Sequence, residues 1–167
     1  MIRLACEDDW PAILEVHRAA FGDDDVPRLA AELHGRPDLY VPELSFVAEE
    51  EDAVVGHVMN TWSWIEETEE PVLQLSPLGV LPAYQRRGHG SELVRASLDA
   101  VRAAGEPLLL VQGDPAYYSR FGFARASELG LLRPPEALND YGFQVVVLEP
   151  DATLPRGQVV YSEPFRH

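Results

Sequence analysis

Residues 85–90 of this chain read Gln-Arg-Arg-Gly-His-Gly and separate a strand-like run from a helix-like run. The preceding run, 72–81, is rich in branched apolar residues and contains Pro77 and Gly79, a combination that favours a strand over a helix. The following run places apolar residues on one helical face: Leu93, Val94, Leu98 and Val101. Glycines at the junction allow a tight turn, and the first amides of a helix have no partner within it. The stretch therefore predicts a phosphate-binding loop at a helix start.

Length, composition and net charge set the expected number of domains and exclude some classes of partner. It has 167 residues, 46% of them hydrophobic, so we expect one globular domain spanning 1–167. The net charge of -15 opposes binding along a nucleic-acid backbone and favours a neutral or cationic partner. Apolar runs are too short to cross a bilayer, and acidic residues at 7–9 interrupt any secretory signal. We expect no nucleic-acid or membrane partner and a cytoplasmic location.

Cys6 is the only cysteine, which excludes an intrachain disulfide and a cysteine-based metal cluster. Neither neighbour, Ala5 or Glu7, carries a positive charge that would activate its thiol. We therefore expect Cys6 to be a small buried apolar side chain rather than a catalytic nucleophile, and we predict no metal site.

Periodicity predicts an α/β (α+β) fold with a single mixed, mostly antiparallel sheet of about six to seven strands and about four helices. Strand-like runs lie near 2–6, 45–49, 53–62, 72–81, 108–112, 123–126, 142–148 and 157–161. The acidic turn 50–52 is expected to join 45–49 and 53–62 as an antiparallel hairpin. Helices are expected near 10–21, capped by Asp8 or Asp9, then at 26–33, after residue 90, and at 115–120. The crossover through the helix after residue 90 predicts that 72–81 and 108–112 are parallel neighbours. As an exposed edge strand, 157–161 would permit a homodimer.

The sequence excludes two other kinds of phosphate-binding loop. A nucleoside-triphosphate loop needs a lysine followed by serine or threonine, and this chain has no lysine. A dinucleotide fingerprint needs three glycines and repeated crossovers, whereas the chain offers one crossover.

The pattern Gln85-x-x-Gly88-x-Gly90 resembles the pyrophosphate-binding loop of the GCN5-related N-acetyltransferase (GNAT) superfamily, Gln/Arg-x-x-Gly-x-Gly/Ala. The resemblance extends over nearly the whole chain, to a tyrosine placed four residues before Gly122-Phe123. The run from 113 resembles a predicted-acetyltransferase branch that carries Gly-Asp-Pro-x-Tyr-Tyr. The resemblance implies a GNAT-like fold, in which the central parallel strands splay apart, and acetyl-CoA as co-substrate.

The resemblance also implies roles for residues. Backbone amides from Arg86 to Ser91 would bind the pyrophosphate, the pantetheine arm would lie along 78–80, and Tyr118 would donate a proton to the departing thiolate. Asp114 stands where many relatives have an asparagine that contacts the cofactor arm, although it could serve only as a helix cap. The implied cofactor-binding set is Leu78, Gly79, Val80, Gln85, Arg86, Arg87, Gly88, His89, Gly90, Ser91 and Asp114.

The sequence leaves the general base and the acceptor open. Candidate bases are Gln74 or Ser76 holding a water, His57, and the acidic run at 66–70. His17 is expected to be packed or at an edge rather than catalytic. The predicted activity is direct acetyl transfer to a primary amine of a small molecule or peptide, and the acidic run favours a cationic acceptor. A coenzyme-binding sensor without catalysis and a plain structural protein are the alternatives.

Overall fold

In the computed structural model, which describes residues 1–166, nine strands form a mixed sheet. The strands are β1 (Ile2–Leu4), β2 (Tyr40–Glu50), β3 (Ala53–Ile65), β4 (Pro71–Val80), β5 (Leu108–Gln112), β6 (Ala124–Arg125), β7 (Leu131–Leu132), β8 (Phe143–Val147) and β9 (Gly157–Val160). The helices are α1 (Trp10–Phe21), α2 (Asp25–His34), α3 (His89–Ala103) and α4 (Pro115–Tyr118). The strand order is β1-β2-β3-β4-β5-β8-β6, and β9 pairs with β3 and β7.

The chain forms two compact units, and the division falls within β3, β4 and α3. The first unit comprises Met1–Asn60 and Ser76–Ala100. Within it β1 pairs antiparallel with β2, and the two-residue turn at Glu51 and Asp52, both with positive φ, joins β2 to β3. Two left-handed residues in a row are typical of a tight hairpin turn, so the predicted hairpin is confirmed. The buried apolar residues of this unit include Ile13, Val16, Leu33, Val47, Val58, Leu93 and Val94.

The second unit comprises Thr61–Leu75 and the chain from Val101. Here β4 and β5 pair in parallel, with Gln74 opposite Leu110 and Leu75 opposite Val111, which confirms the predicted crossover. β8 pairs antiparallel with the whole of β5. The core includes Ile65, Leu108, Leu110, Phe143, Val145, Val159 and Tyr161.

Three sequence-based expectations are wrong. Cys6 is exposed rather than buried, because β1 ends at Leu4 and Cys6 enters a 3₁₀ turn where its N–H donates to Asp9. Asp9 occupies the N-cap position of α1 but does not cap the helix with its side chain, since its carboxylate instead accepts two hydrogen bonds from Arg3.

The third correction concerns residues 157–161. β9 pairs antiparallel with β3 and parallel with β7, and Tyr161 is buried, so this segment is not an exposed edge. The two-residue β7 was not predicted, because Leu131 and Leu132 are too short a run to show alternation. The homodimer prediction thereby loses its structural basis, and the oligomeric state stays untested. Within residues 1–166, no helix combines the length and apolarity needed to cross a membrane.

Candidate functional site

The loop 85–88 joins the 3₁₀ turn Pro82–Tyr84, which follows β4, to the start of α3. Arg86 and Gly88 have left-handed backbones, with φ of 65° and 91°. All four residues are exposed, and a Cβ at Gly88 would meet only the Glu92 carboxylate, at an ordinary 4.0 Å, so its glycine serves the backbone conformation rather than packing. The amide side chain of Gln85 donates to the carbonyl of Val80 at 3.0 Å. Gln85 therefore ties the loop back to the end of β4.

The first turn of α3 has backbone amides without partners inside the helix. The Gly88 carbonyl accepts from the Glu92 N–H at 3.0 Å, which begins the helical bonding after residues His89, Gly90 and Ser91. The first amides of a helix are oriented outward along the positive end of its dipole. α3 is 15 residues long, so this dipole is fully developed. The loop therefore has the tight turn and the helix start that the sequence predicted, and phosphate binding stays a prediction.

An acidic residue of β2 contacts the loop, which the sequence did not predict. Glu50, at the end of β2, accepts a hydrogen bond from Arg87 at 2.6 Å and contacts His89 Nε2 at 2.7 Å. These contacts lower the pKa of Glu50, chiefly through the hydrogen bond with His89. Arg87 also lies over the ring of Tyr84 at 5.1 Å. The charge of the loop residue Arg87 is therefore engaged by Glu50.

β4 approaches α1 at Gly79, one of the residues predicted to line the cofactor arm. Gly79 is buried, and a Cβ there would lie 2.9 Å from Nδ1 of His17. The neighbouring Leu78 and Val80 are half-buried. A side chain at position 79 would displace the imidazole, so the glycine allows bare backbone at this point of the strand.

His17 and His57, which the sequence treated separately, contact each other. Their rings join through Nε2 of His17 and Nδ1 of His57 at 2.8 Å, and His57 Nε2 lies 3.0 Å from the Ser45 hydroxyl. All three side chains are completely buried. Burial lowers the pKa of His17 to about 4 and lowers that of His57 well below its usual value. Both rings are therefore neutral at physiological pH.

The other candidate bases have ordinary structural partners. Gln74 is buried and accepts from the Ser63 hydroxyl at 3.2 Å. The acidic run 66–70 is exposed, and the Glu67 carboxylate accepts from the Gln158 N–H at 3.0 Å. Ser76 is half-buried. Among these groups, none is distinguished as a base by its surroundings.

In the second unit, Tyr118 lies at the end of α4. The Asp114 carboxylate accepts from the Ala116 N–H at 2.9 Å, so Asp114 caps this short helix. Tyr118 is buried, and its ring packs so closely on Gly113 that a Cβ there would lie 2.4 Å away. Phe123 meets the same ring edge-on at 5.6 Å. Burial raises the pKa of Tyr118, so the phenol keeps its proton at neutral pH.

Sequence reasoning missed Glu50 and Ser45. Glu50 was assigned only to the acidic turn, and nothing in the sequence brings it to His89, 39 positions further along. Ser45 was part of a predicted strand, and its partner His57 follows 12 positions later. Within residues 1–166, no group of three or more His, Cys, Asp and Glu side chains is arranged to hold a metal ion.

Comparisons with known proteins agree with this architecture. A family model described as an acetyltransferase (GNAT) domain matches residues 1–126. The uncharacterized N-acetyltransferase YhbS of Escherichia coli is 30% identical over 167 residues, which cover 99% of this chain and 98% of YhbS. The uncharacterized N-acetyltransferase YjhQ of the same organism is 34% identical over 119 residues, 70% of this chain but only 65% of YjhQ.

Two solved structures are similar over nearly the full length. The crystal structure of E. coli YhbS in complex with CoA matches with a TM-score of 0.90 at 29% identity, covering 100% of this chain and 92% of that one. A GNAT family acetyltransferase from Brucella melitensis in complex with acetyl-CoA matches with a TM-score of 0.80 at 30% identity, covering 99% and 97%. These matches confirm the predicted fold.

Proposed function

Because the chain belongs to the GNAT family of acetyltransferases, we propose that it is an acetyl-CoA-dependent N-acetyltransferase that acts directly on a primary amine of a small molecule or peptide. The observation that carries this proposal is the exposed loop 85–88, left-handed at Arg86 and Gly88 and continuous with the first turn of α3. The two structural neighbours complexed with CoA and acetyl-CoA support the same cofactor.

The residues present fit a pyrophosphate group. Outward amides from Arg86 to Ser91 would donate to its oxygens, and the dipole of α3 would favour its negative charge. The exposed Arg86 adds local positive charge to a chain whose net charge is -15. The buried Gly79 keeps β4 free of a side chain where the pantetheine arm is expected. Acetyl-CoA would supply the acetyl group as an activated thioester.

Tyr118 is the proposed proton donor to the departing thiolate. Its support comes from the resemblance and from its own surroundings, since burial raises the pKa of the phenol and keeps it protonated. The ring of Tyr117 packs edge-on against the ring of Tyr118, with centroids 4.9 Å apart. We keep Asp114 in the cofactor-binding set as a proposal, beside the capping contact that it makes to Ala116.

The acceptor class is proposed from charge. The chain is strongly acidic, and the run 66–70 contributes four exposed glutamates, which favours a cationic amine over an anionic acceptor. Direct transfer in a ternary complex is favoured because the sequence offers no convincing nucleophile for a covalent acetyl-enzyme.

Calorimetry with two ligands tests the cofactor. Acetyl-CoA should bind, and S-acetylpantetheine, which has the arm and thioester but no pyrophosphate, should bind at least about tenfold more weakly if helix-start contacts contribute as expected. Absence of acetyl-CoA binding at millimolar concentration would contradict the proposal. A panel of primary amines, followed by CoA release and mass spectrometry, tests the transfer. Binding without turnover on any amine would favour the coenzyme-binding sensor.

A further inference from the structure

Tyr118, the proposed proton donor, lies on a helix that is too short to fix the direction of the ring by itself. α4 has four residues, and an isolated helix shorter than about 12 residues is marginal in water. The Asp114 carboxylate caps the helix, and the Tyr118 N–H donates to the Asp114 carbonyl at 3.0 Å. These contacts hold the backbone of α4. The direction of the Tyr118 ring therefore depends on what the ring packs against.

The Tyr118 ring packs against bare backbone at Gly113. A Cβ at Gly113 would lie 3.0 Å from Cδ2 of the ring and closer still to Cε2, well inside van der Waals contact. The φ of Gly113 is not positive, so an alanine could adopt the same backbone conformation. The glycine is therefore required for the close approach of the ring rather than for the turn.

The backbone of Gly113 is held on both sides by the segment that leads into β8. Its N–H donates to the Gly142 carbonyl at 2.9 Å, and its carbonyl accepts from Nε2 of Gln144 at 3.2 Å. Gln144 is 1% exposed and lies opposite Val111 in the antiparallel pairing of β5 with β8. We refer to Gly113, Gly142 and Gln144 as the Gly113 support. The surface beneath the Tyr118 ring cannot move without breaking these hydrogen bonds.

Gly142 is a second position in the support where a side chain would not fit. A Cβ at this buried residue would lie 2.7 Å from Nε2 of Gln112 and 3.2 Å from the Gly113 carbonyl. The Gly142 N–H donates to Oδ1 of Asn139 at 2.6 Å. A side chain here would push apart the two segments that the support joins. Both glycines therefore serve the same close approach.

The packing encloses the Tyr118 ring and leaves its hydroxyl accessible. Phe123 and Tyr117 meet the ring edge-on, with centroids 5.6 and 4.9 Å away. Tyr118 keeps 9% of its surface exposed. Among residues 1–166, its hydroxyl forms no hydrogen bond and is not one of the buried polar atoms left without a partner. The ring is therefore fixed, while its oxygen is open to solvent and can give up and recover a proton.

We propose that the Gly113 support positions the Tyr118 hydroxyl for proton donation to the departing thiolate. This inference rests on the proposed function, and Gly113 and Gln144 are positioning residues that act through Tyr118. The proton passes from the phenol oxygen to the thiolate sulfur, so an S–H bond forms as the O–H bond breaks, and the phenolate recovers its proton from solvent. A donor must lie within about 2.6–3.2 Å of the atom that it protonates, so a displacement of about 1 Å slows the transfer.

Gly113→Ala adds one methyl group beside the ring and removes no hydrogen-bonding group of the support. With the best primary amine from the panel, kcat should fall at least about tenfold, because the Tyr118 ring must shift. The dissociation constant for acetyl-CoA, measured by calorimetry, should stay within about twofold. An unchanged kcat, or a loss of cofactor affinity as large as the loss of kcat, would overturn the positioning role.

The same substitution in a Tyr118→Phe background is the matched control. Phenylalanine keeps the ring, so the methyl group at Gly113 disturbs the packing equally and only the hydroxyl is missing. The kcat of Tyr118→Phe should therefore change by less than about twofold when Gly113→Ala is added, since the group whose position matters is gone. Equal losses in the two backgrounds would mean that Gly113→Ala acts through stability alone, and would overturn the proposal.

Gln144→Met tests the support without adding an atom beside the ring, and it decides the question if Gly113→Ala does not fold. It removes the hydrogen bond to the Gly113 carbonyl and nearly keeps the volume. kcat should fall about three- to tenfold, and this loss should also vanish in the Tyr118→Phe background. Gln158→Met is the control, because Nε2 of Gln158 also donates to a backbone carbonyl of the same unit, that of Arg133 at 2.7 Å. An equal loss in Gln158→Met would overturn the proposal.

A measurement without turnover covers the case in which no amine of the panel reacts. Fluorine NMR of protein labelled with fluorotyrosine resolves the tyrosine rings, and the Tyr118 signal is the one missing from Tyr118→Phe. This signal should shift in Gly113→Ala and in Gln144→Met and stay unchanged in Gln158→Met. An unchanged Tyr118 signal in Gly113→Ala would overturn the positioning role and leave the proposed cofactor intact. Absence of acetyl-CoA binding by the wild-type protein would instead overturn the proposed function.

Discussion

The loop 85–90 and the buried pair His17–His57 belong to the same unit but are opposite kinds of structure. The loop is contiguous, mostly exposed, and offers backbone amides at a helix start. The histidine pair is buried and joins two side chains that lie 40 positions apart in the sequence. The backbone of the loop depends on local conformation, which glycine spacing encodes, whereas the histidine pair depends on tertiary packing. Variants in the two regions should therefore separate effects on cofactor affinity from effects on stability.

The largest expected effect is the fall in kcat when Tyr118, the proposed proton donor, is replaced. Tyr118→Phe should lower kcat on the order of 10² to 10³-fold, because the departing thiolate loses its acid, with acetyl-CoA affinity unchanged within about twofold. Steady-state kinetics and calorimetry measure the two quantities. Tyr117→Phe is the control, since it removes the same hydroxyl from the adjacent residue of α4. An unchanged rate in Tyr118→Phe would assign the acid elsewhere.

The second prediction concerns the pH dependence of stability that arises from the buried pair His17–His57. His17 has a pKa of about 4 when folded, because burial disfavours its charged form, and about 6.5 when unfolded. The unfolded chain therefore binds the proton first, so the stability from neutral His17 is complete above pH 6.5 and is lost as the pH falls towards 4. His17 alone predicts a loss of about 2 kcal/mol in the free energy of unfolding between about pH 7.5 and 5.

Urea unfolding across this range measures the slope. His17→Asn should flatten it, whereas His34→Asn, which removes a half-buried histidine of the same unit, should not. His57 contributes with the same sign, so some slope should remain in His17→Asn. Equal slopes in the wild type and His17→Asn would mean that the ring is already accessible to protons in the folded protein.

The third prediction isolates the loop. Gly88→Ala should weaken acetyl-CoA binding by about tenfold, because a left-handed backbone costs an alanine about 1–2 kcal/mol and the amides would reorient. Gly22→Ala is the matched control, since Gly22 also has a positive φ, 74°, with no neighbour within 4 Å. Both variants should lose similar stability in thermal unfolding, and only Gly88→Ala should lose affinity. Equal affinities would remove the loop from the cofactor site.

Features that depend on local sequence could be predicted, and features that depend on tertiary packing could not. The loop, the crossover and the hairpin could be predicted because each is encoded by a local run with its own turn residues, as at 51–52 and 85–90. The paired β9 could not, because its partners β3 and β7 lie in other segments of the chain. The exposed Cys6 could not, because the Asp9 carboxylate accepts from both the Cys6 N–H and Arg3, and the strand-like run 2–6 does not indicate that local turn. His17 was predicted only to be packed or at an edge, since nothing in its helix indicates His57 as a partner.

The smallest expected effect is at Glu50, a side chain that is distant in sequence from the loop and contacts it. Its carboxylate engages both Arg87 and His89, so it adds negative charge beside the amides that would bind pyrophosphate. Glu50→Gln keeps the size of the side chain and removes the charge, so acetyl-CoA affinity should rise about two- to fivefold at low salt and the gain should disappear at about 1 M salt. Glu51→Gln, which removes one charge from the adjacent exposed turn, should give a smaller change. If Glu50→Gln instead weakened binding, the carboxylate would be holding Arg87 and His89 in the conformation that binds the cofactor, and this part of the loop would depend on a side chain distant in sequence after all.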